Sequence, residues 1–513
     1  MTIKTFDSTT NQLVKSVLSD YAVYVVGLVL ALFLTPFIFS HVGAAGFGLW
    51  MTIRSMLDYL SLVDGGLANS VPRFVARHRA NSDIEEVNAV VVTTFVTYGF
   101  LSIVVLVVTI LLSSRMDQVV QLDGLSEKVA GWALIVASLG LALRLLSNPV
   151  RGVIFGHQRL YVVNVTLLIT LLVQVIVTVI ALRSGWDIIG IAIADLISTM
   201  LMGTTLLFYI RRAMPQIEFK LHYFRKAKLK EILEYSLFLL LTAIFMRLII
   251  STDNIVIGRY LGVAAVSSYA LAFQLVEIAR QLILRVGRAL VPVYSHNEAL
   301  NDSNRSSSVL LETTRLTLGL GFLLCIGIAL FGEGFILAWI PASKFVGYPT
   351  LWMLCGFAAV QAVIIPSQTA LLSGGEHRSV TIVRGIEGVL NLILSLVLVR
   401  TMGVQGVALA TLTSATTVTL WSIPWLAIRK FNIPVKQLAR SVGGQVVLAL
   451  ILLIAAAFLT APWKPTGFTE ITLAGLVLSI AYSFGYWLFF TSKEQRAFIR
   501  RLIQTSLANL SFR

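Results

Sequence analysis

The chain has 513 residues, of which 57% are hydrophobic and only 13% charged, and its mean hydropathy is +0.86. Soluble domains carry about 25% charged residues, so this composition excludes an ordinary soluble protein and a disordered chain, and two cysteines make no disulfide framework. What remains is a polytopic membrane protein, with a transporter as the first expectation; at about 35 residues per span and connection there is room for roughly fourteen helices.

The polar segment Met1–Asp20 precedes the first apolar run, which lacks a small-residue cleavage site and reads as an uncleaved span. In chain order the hydropathy predicts spans at 20–40, 46–72, 87–112, 130–150, 160–182, 188–210, 232–257, 264–292, 308–331, 349–373, 380–399, 404–428, 442–460 and 471–490. Alternate connections differ sharply in basic residues. With the N-terminus inside, inner segments hold 29 of the 40 Lys and Arg, among them Arg151 and Arg384, while outer connections hold 7. Arg54, Arg144, Arg247 and Arg280 fall inside spans. The bias predicts that both termini are cytoplasmic. It also accounts for the net charge of +15 as topology and attraction to anionic membrane lipids, without nucleic acid as a partner.

An internal repeat is visible. Gly43 leads into the second span and Gly262 into the eighth, with Trp50 and Tyr269 seven residues on; at the same offset of 219, Asp58 falls on Glu277. Pro149 matches Pro366, and Gly190-Ile191-Ala192 matches Gly406-Val407-Ala408. The expected fold is therefore all-α, two six-helix lobes related by a parallel pseudo-two-fold along the membrane normal, with two C-terminal helices added. The expected boundaries are an N-lobe at 1–210, a basic cytoplasmic linker at 211–231, a C-lobe at 232–428, spans thirteen and fourteen at 429–490, and a basic cytoplasmic tail at 491–513.

Charges inside a membrane are costly and face a cavity, pair or snorkel. Arg54 and Asp58 share one face of span two, and Glu277 and Arg280 one face of span eight; each set reads as part of a lumen or, alternatively, as a self-neutralising pair. Arg144 and Arg247 have no partner within a helical turn; Arg144 stands nearer a helix end, where snorkelling accounts for it. Arg54, Arg247 and Arg280 are the candidates for a cationic lumen, because the guanidinium fork suits phosphate oxygens. Asp58, Glu277, Asp64 and Asp253 would balance that charge or carry a coupling ion, and Asp195 lies within span six. Neither a phosphate-binding loop with its lysine nor His/Cys clusters with ligand spacing occur, so no cofactor, resident metal or enzymatic constellation is expected.

These features, with Gly46-Phe47-Gly48-Leu49-Trp50, Asp64-Gly65-Gly66-Leu67-Ala68-Asn69-Ser70 followed by Arg73, Asp253-Asn254-Ile255-Val256-Ile257-Gly258, and Pro292 with Ser295, resemble the polysaccharide-transport branch of the multidrug/oligosaccharidyl-lipid/polysaccharide exporter superfamily. The resemblance implies a flippase that moves an undecaprenyl-pyrophosphate-linked repeat unit across a bacterial cytoplasmic membrane by alternating access, for O-antigen or exopolysaccharide assembly. Polysaccharide polymerase and chain-length proteins are the further partners it brings. Span one lacks the arginines of the peptidoglycan-precursor flippases. The alternative is a multidrug/cation antiporter of the same superfamily, against which the excess of intramembrane arginines weighs.

Overall fold

The computed structural model describes residues 3–490 apart from 82, 301, 341–343, 461–464 and 466; Lys464 and the expected tail 491–513 lie outside the described residues. Among these, every regular element is a helix: α1 (Ile3–Leu60), α2 (Leu67–Ala80), α3 (Ile84–Ser113), the short α4 (Met116–Val119), α5 (Glu127–Gly156), α6 (Leu160–Arg183), α7 (Asp187–Ala213), α8 (Lys226–Ile250), α9 (Thr252–Leu261) and α10 (Val263–Ala289). They continue with α11 (Val291–Ala299), α12 (Ser303–Trp339), α13 (Tyr348–Ser373), α14 (His377–Met402), α15 (Val404–Ser414), α16 (Leu420–Phe431), α17 (Val435–Thr460) and α18 (Phe468–Phe490).

Among the described residues, thirteen helical stretches are long and apolar enough to cross a bilayer. The first, Leu18–Asp64, has 47 residues, about 70 Å of helix, more than twice the hydrocarbon thickness. It breaks at Gly43, whose φ of 69° and ψ of −177° lie outside helical space, so it supplies spans one and two and the fourteen expected spans are all present. The break is a matter of residue type, since only glycine enters that backbone region without strain.

The repeat extends to backbone detail. Gly262, 219 residues after Gly43, joins α9 to α10 with φ 89° and ψ 160°, the same excursion at the same place. Asp83 caps α3 by accepting from the Glu86 amide at 3.0 Å, and Asp302, again 219 residues on, caps α12 by accepting from the Arg305 amide at 2.9 Å; a carboxylate there satisfies an orphan amide of the first turn. Pro149 and Pro366 lie inside α5 and α13 without ending them.

The described residues form two compact units. The first holds the chain up to Ala270 together with Arg384–Ala410; the second holds 271–340, Phe345–Val383 and the chain from Thr411. Lipid tails give no hydrophobic drive for one helix to seek another, so close packing of small residues carries much of the cohesion. In the first unit Gly152 and Gly156 of α5 lie against Val71 and Val75 of α2 so closely that a methyl group at either would overlap the valines, and these valines join Val91, Leu145 and Leu206 in one buried cluster. In the second unit α12, α13 and α16 share a cluster including Leu311, Ile364 and Ile423, and α17 and α18 close on α12 through Ala449, Leu478 and Ile326.

Candidate functional site

A cavity of about 580 Å³ lies inside the first unit, between α1, α5, α6 and α7. Its wall carries Arg54 and Asp58 from α1, Arg144 and Arg151 from α5, Gln174 from α6 and Asp195 from α7, interspersed with Ser147, Thr170, Thr178, Ser198 and Thr199. α5 places Arg144, Ser147 and Arg151 at successive turns of one face. The helix runs on through Pro149 to Gly156, so Arg151, expected in an inner turn, stands within it. The hydropathy minimum after Pro149 concealed this, although a proline in a membrane helix seldom ends it.

The pairing of charges differs from the sequence expectation in three places. Arg54 and Asp58 do not neutralise each other; Asp58 instead bonds Arg247 of α8, Nη1 to Oδ2 at 3.1 Å, and accepts from the Ser251 hydroxyl at 2.9 Å. Arg247 therefore has a partner, supplied by a helix far away in sequence. Arg144 is not a lone snorkelling side chain: its Nη2 lies 3.2 Å from Asp195, whose other oxygen accepts from Gln174 at 3.4 Å. Gly140 makes room for this, since a Cβ there would stand 3.0 Å from Asp195 Oδ2. With the cavity's two aspartates engaged by Arg247 and Arg144, Arg54 and Arg151 are left without an acidic partner among the described residues, and the Arg151 Nε is buried with no hydrogen bond.

The remaining expected site residues are structural in their contacts. Asp64, at the end of a 3₁₀ turn Ser61–Asp64, accepts from the buried Tyr98 hydroxyl of α3 and from the Ala68 amide at 3.3 Å. Asp253 is buried in the first turn of α9 and accepts from the Tyr269 hydroxyl. Arg280 and Glu277 belong to the second unit, where guanidinium and carboxylate meet twice at 2.6 Å, with Gln281 as a third member at 2.6 Å.

Arg384, expected in an inner connection, is a correction: it lies inside α14, 1% exposed, with Nη1 2.7 Å from Glu387, itself 0% exposed. Its acid one turn further on was the available signal; the span expected at 380–399 already contained it, and it was counted with the basic residue of the polar stretch Glu376–Arg378 before it. The basic linker is also less free than expected, because Arg225 bonds Glu85 and Glu86 and Lys228 bonds Glu86 at 2.8 Å and Glu231 at 2.9 Å.

Residues 13–298, more than half of the chain, match the family described as polysaccharide biosynthesis protein. The chain belongs to that family. Among relatives, it is 21% identical over 401 residues to the uncharacterized membrane protein EpsK of Bacillus subtilis, covering 76% of this chain and 78% of EpsK, and 26% identical over 152 residues to the teichuronic acid biosynthesis protein TuaB of the same organism, 29% and 30% of the two chains. Its fold is similar to that of the lipid II flippase MurJ in an inward closed conformation, with a TM-score of 0.71 at 14% identity over 93% of this chain and 99% of MurJ. A multidrug resistance transporter of the MATE family and MOP superfamily, inward-facing, superposes with a TM-score of 0.67 at 15% identity over 79% and 94%. This member of the polysaccharide biosynthesis family is thus a multi-pass protein of the cytoplasmic membrane with the fold of the superfamily's transporters and flippases.

Proposed function

We propose that the protein flips a lipid-linked oligosaccharide, an undecaprenyl-pyrophosphate-linked repeat unit, across the membrane by alternating access for O-antigen or exopolysaccharide assembly, with both termini in the cytoplasm. The observation that carries this is the charge of the first unit's cavity: Arg54 and Arg151 stay uncompensated after every cavity aspartate is engaged. Two unpaired guanidinium groups inside a membrane protein are costly on their own and match the two charges of a pyrophosphate diester, with paired N–H donors for its oxygens. The hydroxyl and amide groups of Thr170, Gln174, Ser198 and Thr199 on the same wall offer donors and acceptors to a sugar. Arg247 and Arg280, each held by a carboxylate, contribute less free charge than Arg54 and Arg151.

Transport of a fluorescent undecaprenyl-pyrophosphate oligosaccharide in proteoliposomes tests it. At matched insertion, Arg54→Ala and Arg151→Ala each lower the rate roughly tenfold to a hundredfold, the scale of a lost charged hydrogen bond. Equal rates in all three proteins, or export of a cationic dye with no lipid movement, overturn the reading and favour the antiporter.

A further inference from the structure

One face of α1 is stitched to the chain segment from α8 to the first residue of α10, Val263, all within the first unit. Gly48, Thr52, Ser55 and Tyr59 follow at helical spacing. Gly48 lies against the Val263 carbonyl, where a Cβ would come within 1.7 Å of the oxygen. The Asn254 amide donates to Ser55 Oγ at 3.0 Å, and the Tyr59 hydroxyl meets Thr252 and donates to the Arg247 carbonyl at 3.3 Å. Where this seam reaches the cavity, Asp58 of the cavity wall pairs with Arg247. That pair is unlike the buried one on α14: its side chains are 42% and 37% exposed, against 0% and 1% for Glu387 and Arg384. A buried pair is locked by the cost of stranding either charge, whereas a half-exposed pair is weak and exchangeable.

We propose that Asp58–Arg247 is a latch that an anion in the cavity opens by exchange. The inference rests on the anion-site reading above. An anion held by Arg54 lies about one helical turn from Asp58 on the same helix. It repels that carboxylate and offers Arg247 a doubly charged partner in its place. Arg247 then turns from Asp58 to the ligand, Ser251 loses its fixed acceptor, and the seam of α1 with α8 and α9 is free to part. Occupancy of the cavity is thereby converted into a change between helices, through differential affinity of one guanidinium for two acceptors. Arg247 is a positioning residue in the empty protein and a ligand contact in the loaded one.

The test uses full-length protein in nanodiscs with Cys325 and Cys355 replaced, carrying Ser55→Cys and Asn254→Cys as a cross-linking pair across the seam, and inorganic pyrophosphate as the probe, with its binding followed separately by calorimetry. Pyrophosphate is expected to slow disulfide formation roughly three- to fivefold, the equivalent of one half-exposed ion pair. Asp58→Asn should show the slowed rate without ligand, and Arg247→Gln should show no response to it while Arg54 still binds the probe. If pyrophosphate binds and the cross-linking rate does not change, the latch is wrong and the anion site stands. If pyrophosphate does not bind, the anion-site reading and the latch both fall.

Discussion

Arg384 and Glu387 illustrate how far a side chain's surroundings decide its role. Both are fully buried on α14 and 2.7 Å apart, so removing one deprives the other of its opposite charge. Arg384→Met and Glu387→Gln are each expected to destabilise the protein by about 3–5 kcal/mol, whereas a paired replacement by apolar residues of similar size is close to neutral. Thermal unfolding of purified protein with transport measured alongside checks this; a double variant that is stable but inactive would give the pair a part in transport. The cavity arginines invert the pattern. Gly140 sets where Asp195 stands against α5, so Gly140→Val should push the carboxylate off Arg144 and release a third free guanidinium. Anion binding by the folded variant is then expected to tighten or hold, whereas Arg151→Ala weakens it. The sequence showed which ionisable residues lie in spans, because hydropathy is local. It could not show which acid answers which base: Asp58 and Arg247 are brought together only by the approach of α1 to α8, and Arg144 and Asp195 by that of α5 to α7.

At the scale of elements, the legible features were those that a residue type dictates by itself. The glycines at the two helix breaks and the apolar lengths each have one physical reason, and each stands where the sequence put it. Helix ends were less legible, since polar residues near an end look the same whether the helix stops or runs on into the interface; Arg151 was misplaced for this reason. The start of α8 is a further case. The linker looked like a cationic surface, but Arg225 and Lys228 dock it on the acidic first turn of α3. Partial burial works against the Lys228 ammonium, yet its hydrogen bonds to Glu86 and Glu231 outweigh that and leave its pKa above the usual lysine value. Glu86→Gln removes acceptors from both cations at once. Faster proteolysis in the 214–225 connection, with a change of about 1 kcal/mol in unfolding, is the expected result, and unchanged cleavage would show that packing alone holds the start of α8. Gly48→Ala acts more severely, because the backbone of Val263 cannot yield as a side chain can; a loss of about 1–3 kcal/mol or more is expected, together with slower cross-linking between positions 55 and 254.

For the whole molecule, the repeat holds in the backbone but not in the charges. The breaks and caps recur at an offset of 219, yet at that spacing Arg54 falls on Phe273, and Arg144 and Arg151, shifted by the 217 that relates Pro149 to Pro366, fall on Gln361 and Gln368. The second copy thus holds no cation at the positions that answer to Arg54, Arg144 and Arg151, so the proposed anion site has no repeat-related counterpart at those positions. The 29-to-7 bias of basic residues between alternate connections is the ground for the proposed orientation of the protein. It predicts that the 115–126 connection is extracytoplasmic and the 214–225 connection cytoplasmic. In a protein with Cys325 and Cys355 replaced, Asp117→Cys should react with a membrane-impermeant maleimide added to intact cells, and Gln216→Cys only after permeabilisation. The reverse pattern would place the inner segments outside, and reaction at both would mean that one of the intervening helices does not cross. The spans α5, α6 and α7 stand between the two positions, three crossings, so a single miscounted helix puts both positions on the same side.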